Sequence, residues 1–265
     1  MSEGARPRLV LDTSSTRWRD RIDLGHVRDD RPRRVGAWEF AAHARRAAEA
    51  VGIEDIVVPD RADGLSALSV VAAGLRATDR AHWTVELTQH FATPVYTAKL
   101  SVSLQRFSGG RLRWRIDPAR GWGGRHELIE EFVTVARGVW EERPYSFEGD
   151  HFGVHDGGFD APLTGQPLPP LEILVRDERD ALLASRIADG IAVETLDPTS
   201  WPELGLPVAA PIALGSSPSP DTVAERLAPA LDRATWLDLD VGDRVEEIYR
   251  WGEHISPRIG ALSHG

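Results

Sequence analysis

Residues able to do chemistry recur at the ends of short apolar stretches along this chain. RLVLD ends on Asp12 with Thr13 behind it, DIVVPD on Asp60 and Arg61, and HWTVELTQH on Gln89 and His90. LRWRID ends on Asp117, LEILVR on Arg176 and Asp177, and TWLDLD on Asp240, while IAVETL carries Glu194 and PVAAPIALG runs into Gly215 to Ser217. Gathered at one end of a molecule, these groups would form a polar mouth of mixed charge, able to orient a small ligand and to move protons. His90, in ELTQHFATP, is the foremost candidate for a functional histidine; the alternative is a rim histidine bonded to a neighbouring loop.

A second feature is the run Gly121-Trp122-Gly123-Gly124-Arg125. It could present backbone N–H groups and Arg125 to an anion at a helix start. It is not a GxxxxGK[ST] loop and contains no lysine, and a tight strand-to-helix turn is the favoured account of it. GSSPSPD (215–221) poses the same choice between a phosphate seat and a plain N-cap through Ser217 or Ser219. His151 and His155 are four apart, but on an expected hairpin, where that spacing does not bring ligands together, so no metal site is expected. GxSxG and HExxH are absent.

The elements that must position these residues alternate from end to end. Strands are expected at 8–12, 55–60, 82–90, 112–117, 171–176, 191–196, 207–215 and 235–240. Helices are expected at 38–52, 65–78, 93–110, 125–140, 178–190, 219–232 and 243–259, with a long polar loop after the first strand and a β-hairpin over 145–159. Between the sixth and seventh strands only DPTSWPELGL is available, too little for a helix. Alternation of this kind predicts parallel strands with right-handed crossovers, and eight units predict an α/β (β/α)8 TIM barrel rather than an open sheet. No GxGxxG follows the first strand. One domain over residues 1–265 is expected.

Composition sets the limits. A net charge of −10, with basic patches such as RDDRPRR (28–34) broken by acids, argues against nucleic acid. The absence of cysteine removes disulfides, thiolate catalysis and thiolate-bound metals. MSEGARPR has no apolar signal core and no apolar run approaches membrane-spanning length, so no membrane partner and a cytoplasmic location are expected.

Several stretches, in order, resemble the bacterial luciferase-like flavin monooxygenases, in particular their alkanesulfonate monooxygenase branch. ARRAAEAVGIEDIVVPD (44–60) is similar to the family's first helix and second strand, and TPVYTAKLSVSLQRFSGGRL (93–112) to its helix, Ser-x-Gly-Arg turn and fourth strand. EEFVTVARGVWEERPYSFEGDHFGV (130–154), QPLPPLEILV (166–175), TVAERLAPALD and RVEEIYRWGEHISPRI continue the match from about residue 38 onward. The resemblance implies a (β/α)8 barrel that uses reduced flavin mononucleotide (FMN) supplied by a flavin reductase, or a deazaflavin. It also implies a small organic substrate, dioxygen as oxidant, and a homodimer or a heterodimer with a luciferase-like paralogue.

The departures fall on cofactor contacts. After strand four the family carries a longer loop with a His-x-x-Arg-Tyr-like element; here Arg125 matches the Arg, His126 stands at the Tyr position and Trp122 at the His position. After strand five the family has small residues that admit the phosphate, where this chain has Leu174, Val175, Arg176 and Asp177. Bulk there blocks close backbone approach and Asp177 repels an anion. Two expectations follow. In one, Arg125, His126 and Arg176 form a rebuilt cationic phosphate site, Asp12, His90 and Trp122 line the ring and substrate space, and the chain is a flavin-dependent monooxygenase. In the other, the barrel binds no flavin and serves as a non-catalytic subunit or binding protein.

Overall fold

Leu112, Trp114 and Ile116 alternate with Arg113, Arg115 and Asp117, and a similar alternation runs through HWTVEL and WLDLD, whereas GIAV and VAAPIA are apolar at every position. A strand sends successive side chains to opposite faces. The apolar set therefore packs outward under the helices and the other set turns into the lumen. In the computed structural model, which describes residues 5–14, 36–160, 167–214 and 219–262, eight parallel strands close on this rule into a barrel. They are β1 (Arg6–Val10), β2 (Asp55–Val58), β3 (His82–Leu87), β4 (Leu112–Ile116), β7 (Leu171–Val175), β8 (Gly190–Val193), β9 (Val208–Ala213) and β10 (Trp236–Asp240). The antiparallel pair β5 (Tyr145–Glu148) and β6 (Gly153–Gly157) stands outside the ring as the expected hairpin. β1 closes the ring against β10, pairing Arg8 with Asp238 and Val10 with Asp240.

The helices are α1 (Ala37–Ala50), α2 (Ala67–Ala77), α3 (Pro94–Ser108), α4 (His126–Glu141), α5 (Glu178–Ile187), α6 (Pro220–Leu231), α7 (Glu246–Arg250) and α8 (Ser256–Leu262). Between β8 and β9 there is only the single turn Pro198–Ser200, as the short DPTSWPELGL segment requires. The expected closing helix 243–259 is instead α7 and α8 joined through a π-turn, Trp251–Ile255. Pro257 has no N–H for the carbonyl four residues earlier, and Gly252 is pressed so close to Val51 that a Cβ would come within 2.4 Å of it. The long loop expected after β1, the basic patch 28–34 and Ser217 lie outside the described residues; Ser219 does cap α6, accepting the Thr222 N–H at 3.3 Å.

The turn at 108–111 has a structural role. Gly109 takes φ +71° to end α3. Arg111 then donates to the carbonyls of Leu75 (2.9 Å), Ala81 (2.8 Å) and Ser108 (2.8 Å), tying α2, the start of β3 and α3 together.

The lumen holds an ion cluster where such barrels usually carry branched aliphatics. Arg8 binds Asp238 at 2.7 Å and also Glu172, and Arg115 binds Glu172 at 2.8 Å and Asp238 at 2.7 Å. All four are buried. Burial works against the charge of both carboxylates, but the two arginines outweigh it and hold Glu172 and Asp238 below the usual carboxylate range. Beneath them Trp236 lies under Arg8 and Arg113, their guanidinium carbons 4.8 Å and 5.5 Å from its ring.

Candidate functional site at the C-terminal mouth of the barrel

The strand ends bring most of the chemically able residues to one rim, and the structure pairs them off. Asp12, at the end of β1, accepts from Arg61 at 3.0 Å and from the Ser14 N–H at 2.9 Å. Asp60 accepts from the Thr88 hydroxyl at 3.1 Å. Glu86 of β3 is buried in the lumen and held by Arg120 at 2.9 and 3.2 Å. Burial pushes its carboxyl above the usual range, against the pull of Arg120. Asp117 receives the fork of Arg176 at 2.7 and 2.8 Å; burial opposes its charge, but the two bonds hold its carboxyl low. Arg176 also donates to Glu194 at 2.8 Å.

The three cations expected at a phosphate are thus engaged by the chain itself. Besides Arg176, the two ring nitrogens of His126 lie 2.9 Å from the Gly124 carbonyl and 2.7 Å from Asp180. Arg125 donates to the Trp122 carbonyl at 3.2 Å and to the side-chain oxygen of Gln89. The glycine loop is no cradle either. The Gly124 N–H is spent on Pro118 and that of Arg125 on Trp122, which makes the segment a tight turn.

Trp122 corrects an expectation. It does not line the mouth: it is fully buried, donates to the Leu87 carbonyl at 2.9 Å and meets Phe132 edge-on at 5.0 Å. Gly121 sends it there. At φ +73°, with Thr88 so near that a Cβ would come within 2.7 Å of it, the position demands glycine and turns the chain into the core. His90 is exposed on the rim beside Gln89, 3.4 Å away, and is not brought to Asp12. The sequence does not mark out Glu86, Arg8, Arg115 and Glu172 beyond each being a charge inside a mainly apolar strand, and Arg120 sits in the turn after β4, where nothing marks it.

Two surfaces remain at this end. Val10, Leu174, Pro211 and Ala213 alternate with outward-packed neighbours, so they face the lumen from β1, β7 and β9 as a mainly apolar wall, with one carboxylate, Asp240 of β10, in register between Val10 and Ala213. The second is a pocket of ≈ 470 Å³ between the ends of β7 and β8, the start of α5 and the Pro198–Ser200 turn, lined by Val175, Arg176, Asp177, Val193, Glu194 and Trp201 among others and sharing no residue with that wall. The start of α5 is closed by its own carboxylates. Asp177 accepts the Arg179 and Asp180 N–H groups, both at 2.9 Å, and the Asp180 side chain accepts the Arg176 N–H at 3.1 Å. Among the described residues no group of histidine and carboxylate side chains could hold a metal ion.

A family model described as luciferase-like monooxygenase matches residues 22–201, about two-thirds of the chain. Solved structures agree on the architecture. The chain is similar to a coenzyme F420-dependent tetrahydromethanopterin reductase from Methanopyrus kandleri, with a TM-score of 0.71, 14% identity and 96% of this chain and 99% of that one covered. It is similar to a long-chain alkane monooxygenase (TM-score 0.75, 10% identity, 99% and 92% covered). It is likewise similar to the oxygenating constituent of 3,6-diketocamphane monooxygenase from Pseudomonas putida, solved with FMN (TM-score 0.70, 13% identity, 97% and 99% covered). Tested against a flavin, the described residues divide: the apolar wall suits a flat ring, whereas the self-capped start of α5 and the paired arginines do not suit its phosphate.

Proposed function

The chain belongs to the luciferase-like monooxygenases, and we propose that it works as a flavin- or deazaflavin-linked oxidoreductase of a small organic substrate. The observation that carries this reading is the contrast within the mouth between a mainly apolar wall (Val10, Leu174, Pro211 and Ala213, interrupted by Asp240) and a charged side (Asp12, Glu86, Asp117 and their arginines). The wall is a surface for a planar ring. When bound, reduced flavin supplies the electrons that activate dioxygen, and a separate reductase would deliver it. The Asp12–Arg61 and Glu86–Arg120 pairs orient the polar end of the substrate. Burial raises the Glu86 carboxyl above the usual range, so it keeps its proton to higher pH than an exposed glutamate does. His90 stands at the entrance, where it meets substrate on the way in. We place the activity in a single 1–265 domain, in the cytoplasm, as a homodimer or paired with a luciferase-like paralogue. In keeping with this, no helix among the described residues is long and apolar enough to cross a membrane.

A second reading has its own support. With Arg125, His126 and Arg176 engaged internally, a barrel without flavin would serve as a binding subunit. Titrating the purified protein with FMN and with a deazaflavin, followed by ligand fluorescence, separates the two. Saturable binding near one per chain is expected; binding of neither would leave the subunit reading, for which co-purification with a paralogue is the test.

A further inference from the structure

We infer that the ligand portion lying against the start of α5 carries no phosphate, so that the barrel selects a flavin by its ring and not by its phosphate; this rests on the flavin reading above. A helix start is normally an anion seat, because its first N–H groups point outward and the helix dipole favours negative charge there. Here the seat is filled from within. Asp177 takes the N–H groups of Arg179 and Asp180 at 2.9 Å, and Asp180, buried, takes the N–H of Arg176 and faces His126 at 2.7 Å. The adjoining pocket presents Asp177, Glu178 and Glu194 against one cation, Arg176, whose fork is bound to Asp117. A phosphate dianion entering this pocket would meet three carboxylates within its screening length and find the Arg179 and Asp180 amides already bonded. The uncharged hydroxyls of a ribityl chain meet neither obstacle, and can bond Glu194 and Thr195 in the lining of the same pocket.

Fluorescence titration with riboflavin and with FMN, at low and at high salt, tests this. The expected result is that riboflavin binds at least as tightly as FMN. Raising salt should tighten FMN by about threefold, since screening relieves repulsion, and leave riboflavin unchanged. A double variant, Asp177→Ser with Glu178→Gln, keeps a hydroxyl cap on α5 while removing two charges, and should shift the preference toward FMN by about fivefold or more. FMN binding tenfold tighter than riboflavin and weakening with salt would overturn the inference while sustaining the flavin reading. Binding of neither compound would overturn the inference and leave the proposed function to a deazaflavin alone, whose failure to bind in the same assay would overturn that reading too. An unchanged preference in the double variant, with its thermal unfolding intact, would also overturn the inference.

Discussion

Trp122 shows how residue type and residue position can disagree. An aromatic just past a strand end looks like a ring-stacking group, but its indole N–H is spent on Leu87 and its face on Phe132. Trp122→Ala should therefore act as a core truncation. It should lower stability by about 3–5 kcal/mol in urea unfolding, while any ligand affinity, measured per folded molecule, is unchanged. An affinity loss without a stability loss would return Trp122 to the mouth. What misled at this scale was local: the loop is short and polar, and only the left-handed turn at Gly121, wedged on Thr88, sends the side chain inward. Asp12 and Asp117 were legible as mouth residues because they end strands, and the sequence shows that directly. Their partners Arg61 and Arg176 come from other units, 49 and 59 positions away, and become partners only through closure of the ring.

Among elements, the periodic signals were sound and the interruptions were less so. The strand over 112–117 and the helix over 93–110 were readable because strand alternation and helical spacing are local steric rules. The π-turn within the last helix was only half readable, because Pro257 is local whereas Val51, which crowds Gly252, is far away in sequence. The Ser-Gly-Gly-Arg turn is similarly explained by contacts that no local pattern contains. Its Arg111 satisfies three carbonyls at once, so Arg111→Met should destabilise the protein by about 2–3 kcal/mol, seen as a lower urea midpoint, without altering ligand binding. A neutral outcome would mean that water serves those carbonyls equally well.

For the molecule as a whole, the barrel is held outside by an apolar ring and inside by four charges. Removing one member of the lumen cluster leaves a buried charge uncompensated, so Glu172→Gln should cost about 3 kcal/mol of stability in urea. The pH dependence has a definite sign. Glu172 and Asp238 titrate lower in the folded than in the unfolded chain, so their contribution is complete above their unfolded values of about 4.3 and 3.9 and is lost as pH falls further through the depressed ones. Glu86 works in the opposite sense: its raised value costs stability as pH rises past the unfolded one. Urea midpoints at successive pH values should hold steady toward neutrality and drop steeply below about pH 4. A midpoint unchanged down to pH 3 would show that the cluster contributes little. The cluster was hidden in the sequence although each charge was visible, because its acids and bases lie on β1, β4, β7 and β10, up to 230 residues apart.

The central claim is that a flat ring rests on the apolar half of the mouth. The most direct measurement is ligand fluorescence titration of Leu174→Trp, which fills that wall from a half-buried position on β7, against the unsubstituted protein. We predict that flavin binding falls by at least about tenfold, with the thermal unfolding temperature within a few degrees of the original. Binding of equal strength in a fully folded Leu174→Trp protein would contradict the placement of the ring and, with it, the proposed site.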